Sequence, residues 1–309
     1  MPSRLKRPNG PASPALLVKA ANDAYNVLMA RRRQNVLIGS QMKIEFCSLN
    51  SGSNGNATYI AAGNTRVLVD AGLSGQGVSK RLAQLEVLPE TISAIVISHE
   101  HADHVRGAGV LSRKYRIPVY ATQAAWQTDA MRRLVGQVPP GLMRVFNSGE
   151  EFYIGDIGIQ TIPIPHDTVD PVAFRLYAGS RSVAVATDMG RVPRKVLRGL
   201  SGADLILLES NHDPDMLLHN ALYPEHLKQR ILGGNGHLSN LDCARTLLEL
   251  VETGVQHAVL GHLSHDNNTP ELALQTVSEQ LSLRGVRPGT DIRLDMAWRD
   301  RIGGVYTLE

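Results

Sequence analysis

From residue 42 onward the chain is a series of short apolar runs punctuated by glycine, asparagine and proline. Residues 43–47, 57–61 and 66–70 are such runs, joined by Gly/Asn turns, and this predicts strands linked as hairpins. Helical spacing appears over 78–85, 110–115 and 124–135. Ala94-Ile95-Val96-Ile97 reads as a buried strand, and so do 183–187 and 204–209. Further strands are predicted at 118–121, 155–164, 173–177 and 258–261. Ser239 followed by Asp242 predicts a capped helix over 239–250. Thr269-Pro270 opens another, with a capping hydroxyl and proline at the first helical position. Hairpin strands come first and βα units follow in each half. Two sheets packed face to face with helices outside satisfy that order.

Composition narrows the class. At roughly 150 residues per domain, 309 residues allow two small domains or one large α/β or sandwich unit. A hydrophobic share of 43% fills a sizeable core and excludes a disordered chain. No apolar stretch approaches the ~20 residues that span a bilayer, and no secretory signal is recognisable. Cys47 and Cys243 are far apart and form no CxxC pair, which excludes a disulfide framework. A reducing cytoplasm is the expected location.

The net charge of +3 changes the picture only once it is divided. Residues 1–42 hold Arg4, Lys6, Arg7, Lys19, Arg31, Arg32 and Arg33 against one acid, Asp23. That segment carries +6, so the rest carries −3. Nucleic-acid affinity would therefore come from local patches or from the arm. The expected organisation is a basic extension over 1–41, disordered or helical near 16–29, and a catalytic domain over 42–309. The extension reads as an arm for anionic partners, as a transit segment, or as an addition without consequence.

The candidate chemistry lies in His99-Glu100-His101-Ala102-Asp103-His104, directly after the apolar run that ends at Ser98. Three imidazoles and a carboxylate within six residues are donors suited to borderline divalent ions. Burying so many titratable groups without a metal would be costly. All eleven histidines lie beyond residue 98. His166, Asp188, His262 and Asp70 each follow an apolar run, at the strand ends where α/β sites are built. One such residue alone reads as a turn former or a satisfied structural group. The repetition is what points to a metal site.

His99/His101/Asp103/His104, followed by His166, Asp188 and His262, resembles the HxHxDH signature of the metallo-β-lactamase superfamily. The resemblance implies a four-layer αββα sandwich of the α/β (α+β) class with two divalent ions, zinc or manganese, with iron also compatible. By that resemblance His99, His101 and His166 hold the first ion. Asp103, His104 and His262 hold the second, Asp188 bridges them, and Asp70 supports the site from behind. Two ions roughly 3.5–4 Å apart can share a hydroxide that attacks an ester, with Asp103 orienting it. Glu100 is expected to point away from the histidines, either supporting the site from behind or facing solvent. Asp188 and His262 are too close in sequence for a β-CASP cap.

Glu209, Gly236-His237-Leu238-Ser239 and Gly261-His262-Leu263-Ser264 resemble a series found in ribonuclease Z-like phosphodiesterases. That likeness implies that His237 protonates the leaving oxygen while Glu209 orients it and raises its pKa. The segments 46–56, 210–213 and 261–270, with Tyr223-Pro224 and Leu227-Lys228, resemble the YycJ/WalJ-type subfamily. This implies a phosphodiesterase or DNA exonuclease whose partner is nucleic acid. Asp266 stands where that subfamily more usually has glutamate. A small-substrate metallohydrolase (of a cyclic or small phosphodiester, lactone or thioester) is the competing reading, and the −3 body favours it. Lys228 and Arg230 are candidates for substrate phosphates, as are Ser53 and Asn54 through loop amides. Arg191, Arg194, Lys195 and Arg198 are further basic residues, or else ordinary solvated charges. The sequence leaves the oligomeric state open, a homodimer included.

Overall fold

Alternation along the strands decides which core each side chain enters. The computed structural model describes residues 42–309, so the extension and helix expected within 1–41 lie outside the described residues. Two seven-stranded sheets form the centre. The first contains β1 (Ile44–Asn50), β2 (Ala57–Ala62), β3 (Thr65–Val69), β4 (Ala94–Val96), β5 (Val119–Thr122), β6 (Met143–Phe146) and β14 (Val305–Leu308), in the order β14-β1-β2-β3-β4-β5-β6. The second contains β7 (Glu151–Ile154), β8 (Ile157–Pro163), β9 (Val172–Ala178), β10 (Arg181–Ala186), β11 (Leu205–Glu209), β12 (His257–Gly261) and β13 (Arg293–Met296), in the order β13-β12-β11-β10-β9-β8-β7.

In β11, Leu205 and Leu207 enter the core between the sheets, with Phe46, Val67, Val96, Phe174 and Val259. Ile206 and Leu208 enter the outer core, with Val196, Leu247 and Val277 from three helices. Both faces are buried, which is why the strand reads as an unbroken apolar run. The helices are Arg194–Leu200, Asn240–Val251 and Pro270–Leu283. On the other side Leu68 and Ile95 pack against Val78 and Leu111 of helices Gly75–Ala83 and Ala108–Tyr115. The layers are therefore αββα, as expected. Between Asp188 and His262 the chain builds only β11, β12 and four helices.

Strands β3 to β6 run parallel, as do β10 to β13. Each sheet thus presents a row of C-terminal strand ends at which loops can carry chemistry. Caps fix the helix starts: Ser239 Oγ accepts from Asp242 N and Thr269 Oγ1 from Leu272 N. The single helix expected over 124–135 is instead two pieces, Gln123–Trp126 and Asp129–Leu134. Thr128 ends the first piece and caps the second by accepting from Met131 N, a local bond that competes with helix continuation. Among the described residues no helix is long and apolar enough to cross a membrane.

Candidate metal centre

Six strand ends deliver the side chains. Asp70 follows β3, His99 lies shortly after β4, and His166 shortly after β8. Asp188 follows β10, Glu209 is the last residue of β11, and His262 follows β12. Asp70 (φ 61°), Asp188 (φ 61°) and His262 (φ 56°) are left-handed, a conformation that costs a non-glycine residue ~1–2 kcal/mol. Each kinks the chain sharply as it leaves its strand. Asp103 and His104 sit in the short helix Ala102–Val105, which begins at the turn after His101.

Ligand atoms of His99, His101 and His166 lie within 4.8 Å of one another, and so do those of Asp103, His104 and His262. Asp188 reaches both groups. Its Oδ2 is 3.2 Å from His104 Nε2, and its Oδ1 is 3.4 Å from His262 Nε2 and 3.9 Å from His166 Nε2. Asp70 stands behind, with Oδ2 accepting from His104 Nδ1 at 2.8 Å and Oδ1 from Ser98 N at 2.8 Å. His166 Nδ1 donates to the carbonyls of Asn235 and Gly236, both at 3.2 Å. These contacts leave Nε2 of His104 and of His166 facing Asp188 across the shared space.

Charge divides the site. His99 and His101 lie low, because burial penalises their charged form. Burial also acts against charge on His104 and His262, yet carboxylates outweigh it. Asp188, Asp70 and Asp103 raise His104, while Asp188, Asp103 and Glu209 bring His262 up to about 10. Four buried or half-buried carboxylates thus demand positive charge in a confined volume. His99 Nε2, His262 Nε2 and Asp188 Oδ2 are buried without a hydrogen-bond partner. Unpartnered buried donors of nitrogen and oxygen, beside excess negative charge, fit divalent ions.

Glu209 is fully buried, and its Oε1 accepts from His237 Nδ1 at 2.7 Å and from His262 Nδ1 at 2.9 Å. Its Oε2 accepts from Met189 N at 2.8 Å and Leu238 N at 3.2 Å. Burial resists its ionisation, but His237 and His262 hold it at about 2. Burial likewise opposes charge on His237, and Glu209 outweighs it, leaving His237 above its ordinary value. The pairing with His237 was expected. The sharing with His262 was not legible from spacing.

The other candidates fall differently. Ser53 and Asn54 are exposed on the loop between β1 and β2. Lys228 Nζ donates to the Leu218 carbonyl at 2.6 Å, and Arg230 Nε pairs with Asp167 at 2.5 Å. Glu100 is buried, not solvent-facing, and accepts from Val169 N. Sequence reasoning missed Asn56, whose Nδ2 lies 3.0 Å from His104 Nε2 and donates to Asp103 Oδ2 at 3.3 Å. It also missed Asn211, which donates to the His262 carbonyl at 2.9 Å. The signal for both was an asparagine at the edge of an apolar run.

Residues 65–263 match the family model described as beta-lactamase superfamily domain. The chain is 38% identical over 248 residues to the Bacillus anthracis protein named exodeoxyribonuclease YycJ, covering 80% of this chain and 93% of that one. It is 37% identical over 255 residues to exodeoxyribonuclease WalJ of Streptococcus pneumoniae, covering 82% and 94%. Among solved structures, the metallo-beta-lactamase fold protein YhfI of Bacillus subtilis superposes with a TM-score of 0.63 at 19% identity, over 85% of this chain and 99% of that one.

Proposed function

Because the chain belongs to the beta-lactamase superfamily, we propose that it is a binuclear metal-dependent hydrolase cleaving phosphodiester bonds, with DNA as its substrate. The observation that carries this reading is the pairing of two three-residue donor groups around Asp188, with an imidazole–carboxylate pair at their edge. His99, His101 and His166 would hold one ion, Asp103, His104 and His262 the other, with Asp188 between them. The donor set is nitrogen and oxygen only, since Cys47 and Cys243 are buried in packing cores, and it suits zinc or manganese. Such ions would supply Lewis acidity toward phosphoryl oxygens and acidify water.

The protein's own groups do the rest. Asp70 fixes the His104 ring through Nδ1, Asn56 holds Asp103 beside it, and the carbonyls of Asn235 and Gly236 fix the ring of His166. Glu209 accepts Nδ1–H of His237, which leaves Nε2 free to give a proton to the departing oxygen. Only about a fifth of the His237 side chain is exposed, so it is reachable while its orientation stays fixed.

The reading is tested with purified protein and Mn²⁺ or Zn²⁺ on end-labelled duplex DNA, single strands, RNA and bis-p-nitrophenyl phosphate. Stepwise shortening of DNA is expected. Turnover of the small ester with every polynucleotide left intact would assign the protein to small substrates instead.

A further inference from the structure

The loop at residues 51–56 ties the metal centre to the molecular surface. At its inner end Asn56 holds Asp103 beside His104, and Ser51 Oγ accepts from His262 N at 2.8 Å. At its tip Ser53 and Asn54 are exposed. Two arginines flank that tip. Arg106, two residues beyond His104, reaches the Asn54 carbonyl with Nη1 at 3.5 Å. On the other side Ser51 N donates to the Trp298 carbonyl at 2.8 Å, which brings residues 298–301 against the loop. Arg299 lies so close to Gly52 that a Cβ there would stand 3.1 Å from Arg299 Cβ. Arg299 Nη1 donates to the Ser264 carbonyl at 3.1 Å, two residues past His262. Arg301 lies over the Trp298 ring at 3.9 Å.

Among the described residues none of these three guanidinium groups has a carboxylate within ion-pair distance. Asp266 lies near Arg299, but its oxygens are taken by Tyr223 and His265. Of the basic residues named from the sequence, Arg230 is paired with Asp167 and Lys228 donates to the Leu218 carbonyl, whereas Arg191, Arg194, Lys195 and Arg198 have no carboxylate within ion-pair distance among the described residues. Arg106 and Arg299 are set apart by place, since they flank the loop that touches Asp103 and His262, with Arg301 two residues further along the chain. An arginine fork held by one carbonyl keeps its remaining N–H donors for phosphate oxygens.

Resting on the DNA reading above, we propose that Arg106, the 51–56 loop tip, Arg299 and Arg301 form the track that carries backbone phosphates of the DNA strand to the metal centre. The strand would contact loop amides at Ser53 and Asn54 between the two inner arginines. Arg301, stacked on Trp298, would meet a phosphate farther out.

The test is fluorescence anisotropy of the full chain with a labelled phosphorothioate single strand, over a range of salt. Arg299→Gln/Arg301→Gln is compared with Arg284→Gln/Arg287→Gln, which removes equal charge at the opposite ends of the strands. The first pair should lower affinity about tenfold or more at ~0.1 M salt, and flatten the salt slope by roughly 1.4. The second pair should lower it less than about threefold. Arg299→Lys/Arg301→Lys keeps the charges and should retain most of the binding, which separates loss of contact from loss of fold. Equal effects of the two Gln pairs, or no binding by the wild-type chain, would overturn the track. A wild-type chain that binds the strand, cuts no natural DNA and still hydrolyses bis-p-nitrophenyl phosphate removes the nuclease reading instead.

Discussion

A single carboxylate oxygen, Glu209 Oε1, serves two imidazoles with different proposed tasks, the proton donor His237 and the ligand His262. Its partner oxygen is filled by two backbone N–H groups, so an amide cannot replace it without turning a donor toward donors. Glu209→Gln should weaken metal affinity about 10- to 100-fold through His262. It should also move the alkaline limb of kcat/KM to lower pH. Burial pulls His237 down and Glu209 holds it up. Without the carboxylate the imidazolium loses its proton at a lower pH, so activity falls off sooner. A pH–rate profile with an unmoved limb would contradict the pairing. His237→Ala should keep both ions, as metal analysis would show. It should slow substrates with poor leaving groups by about 10²–10⁴ while sparing p-nitrophenyl esters. Equal loss on both would reject the proton-donor role. At this scale the sequence is most informative, since His99, His101, Asp103 and His104 announce themselves by density. Asn56 and Asn211 do not, because an asparagine beside a strand is usually a turn residue, and only folding brings Asn56 to His104.

Elements meet at the metal centre through backbone as much as side chains. Asn56 N donates to the Asp103 carbonyl, Gly72 N to the Asn56 carbonyl, and Ala71 N to the His104 carbonyl. This lattice joins the end of β3, the 51–56 loop and the helix holding Asp103 and His104. It closes only because residue 72 has no side chain: a Cβ there would stand 1.6 Å from the Asp103 carbonyl oxygen. Gly72→Ala should therefore push the Asp103–His104 turn outward. Metal content should fall, the ion of Asp103, His104 and His262 being lost first, and the melting temperature should drop. Full occupancy in this variant would show that the lattice yields more easily than its geometry suggests. Elements set by local rules were legible. Ser239 and Thr269 cap their helices as their sequence context implies, and β10 and β11 announce themselves as apolar runs buried on both faces. Elements set by distant partners were not. β14 is a short, half-exposed strand whose partner β1 lies at the other end of the described chain, so nothing local marks it. β6 exposes Met143 and Val145 and finds its place only by pairing with β5. β13 likewise depends on β12.

Across the whole molecule, the two donor groups are not divided one per sheet. His99 and His101 follow β4 of the first sheet, but their third partner, His166, follows β8 of the second. Asp103 and His104 likewise belong to the first sheet's side and meet His262 from β12. Each ion would therefore pin one sheet to the other at their shared open edge. Without ions the same edge gathers Asp70, Asp103, Asp188 and Glu209 close together, where mutual repulsion must be met by protonated histidine. Ion occupancy is then a term in the stability of the whole fold, because ions bind the native arrangement and not the dispersed chain. An ion present at a hundred times its Kd adds about 2.7 kcal/mol, which corresponds to roughly 5–10 °C in melting temperature for a domain of this size. Chelation should lower the melting temperature by at least that much, and Mn²⁺ or Zn²⁺ should restore it. Asp188→Asn, which removes charge from the position between both donor groups, should shrink the chelation-dependent shift to a few degrees. If protein shown by metal analysis to carry two ions melts at the same temperature before and after they are stripped, the ions do not bridge the sheets.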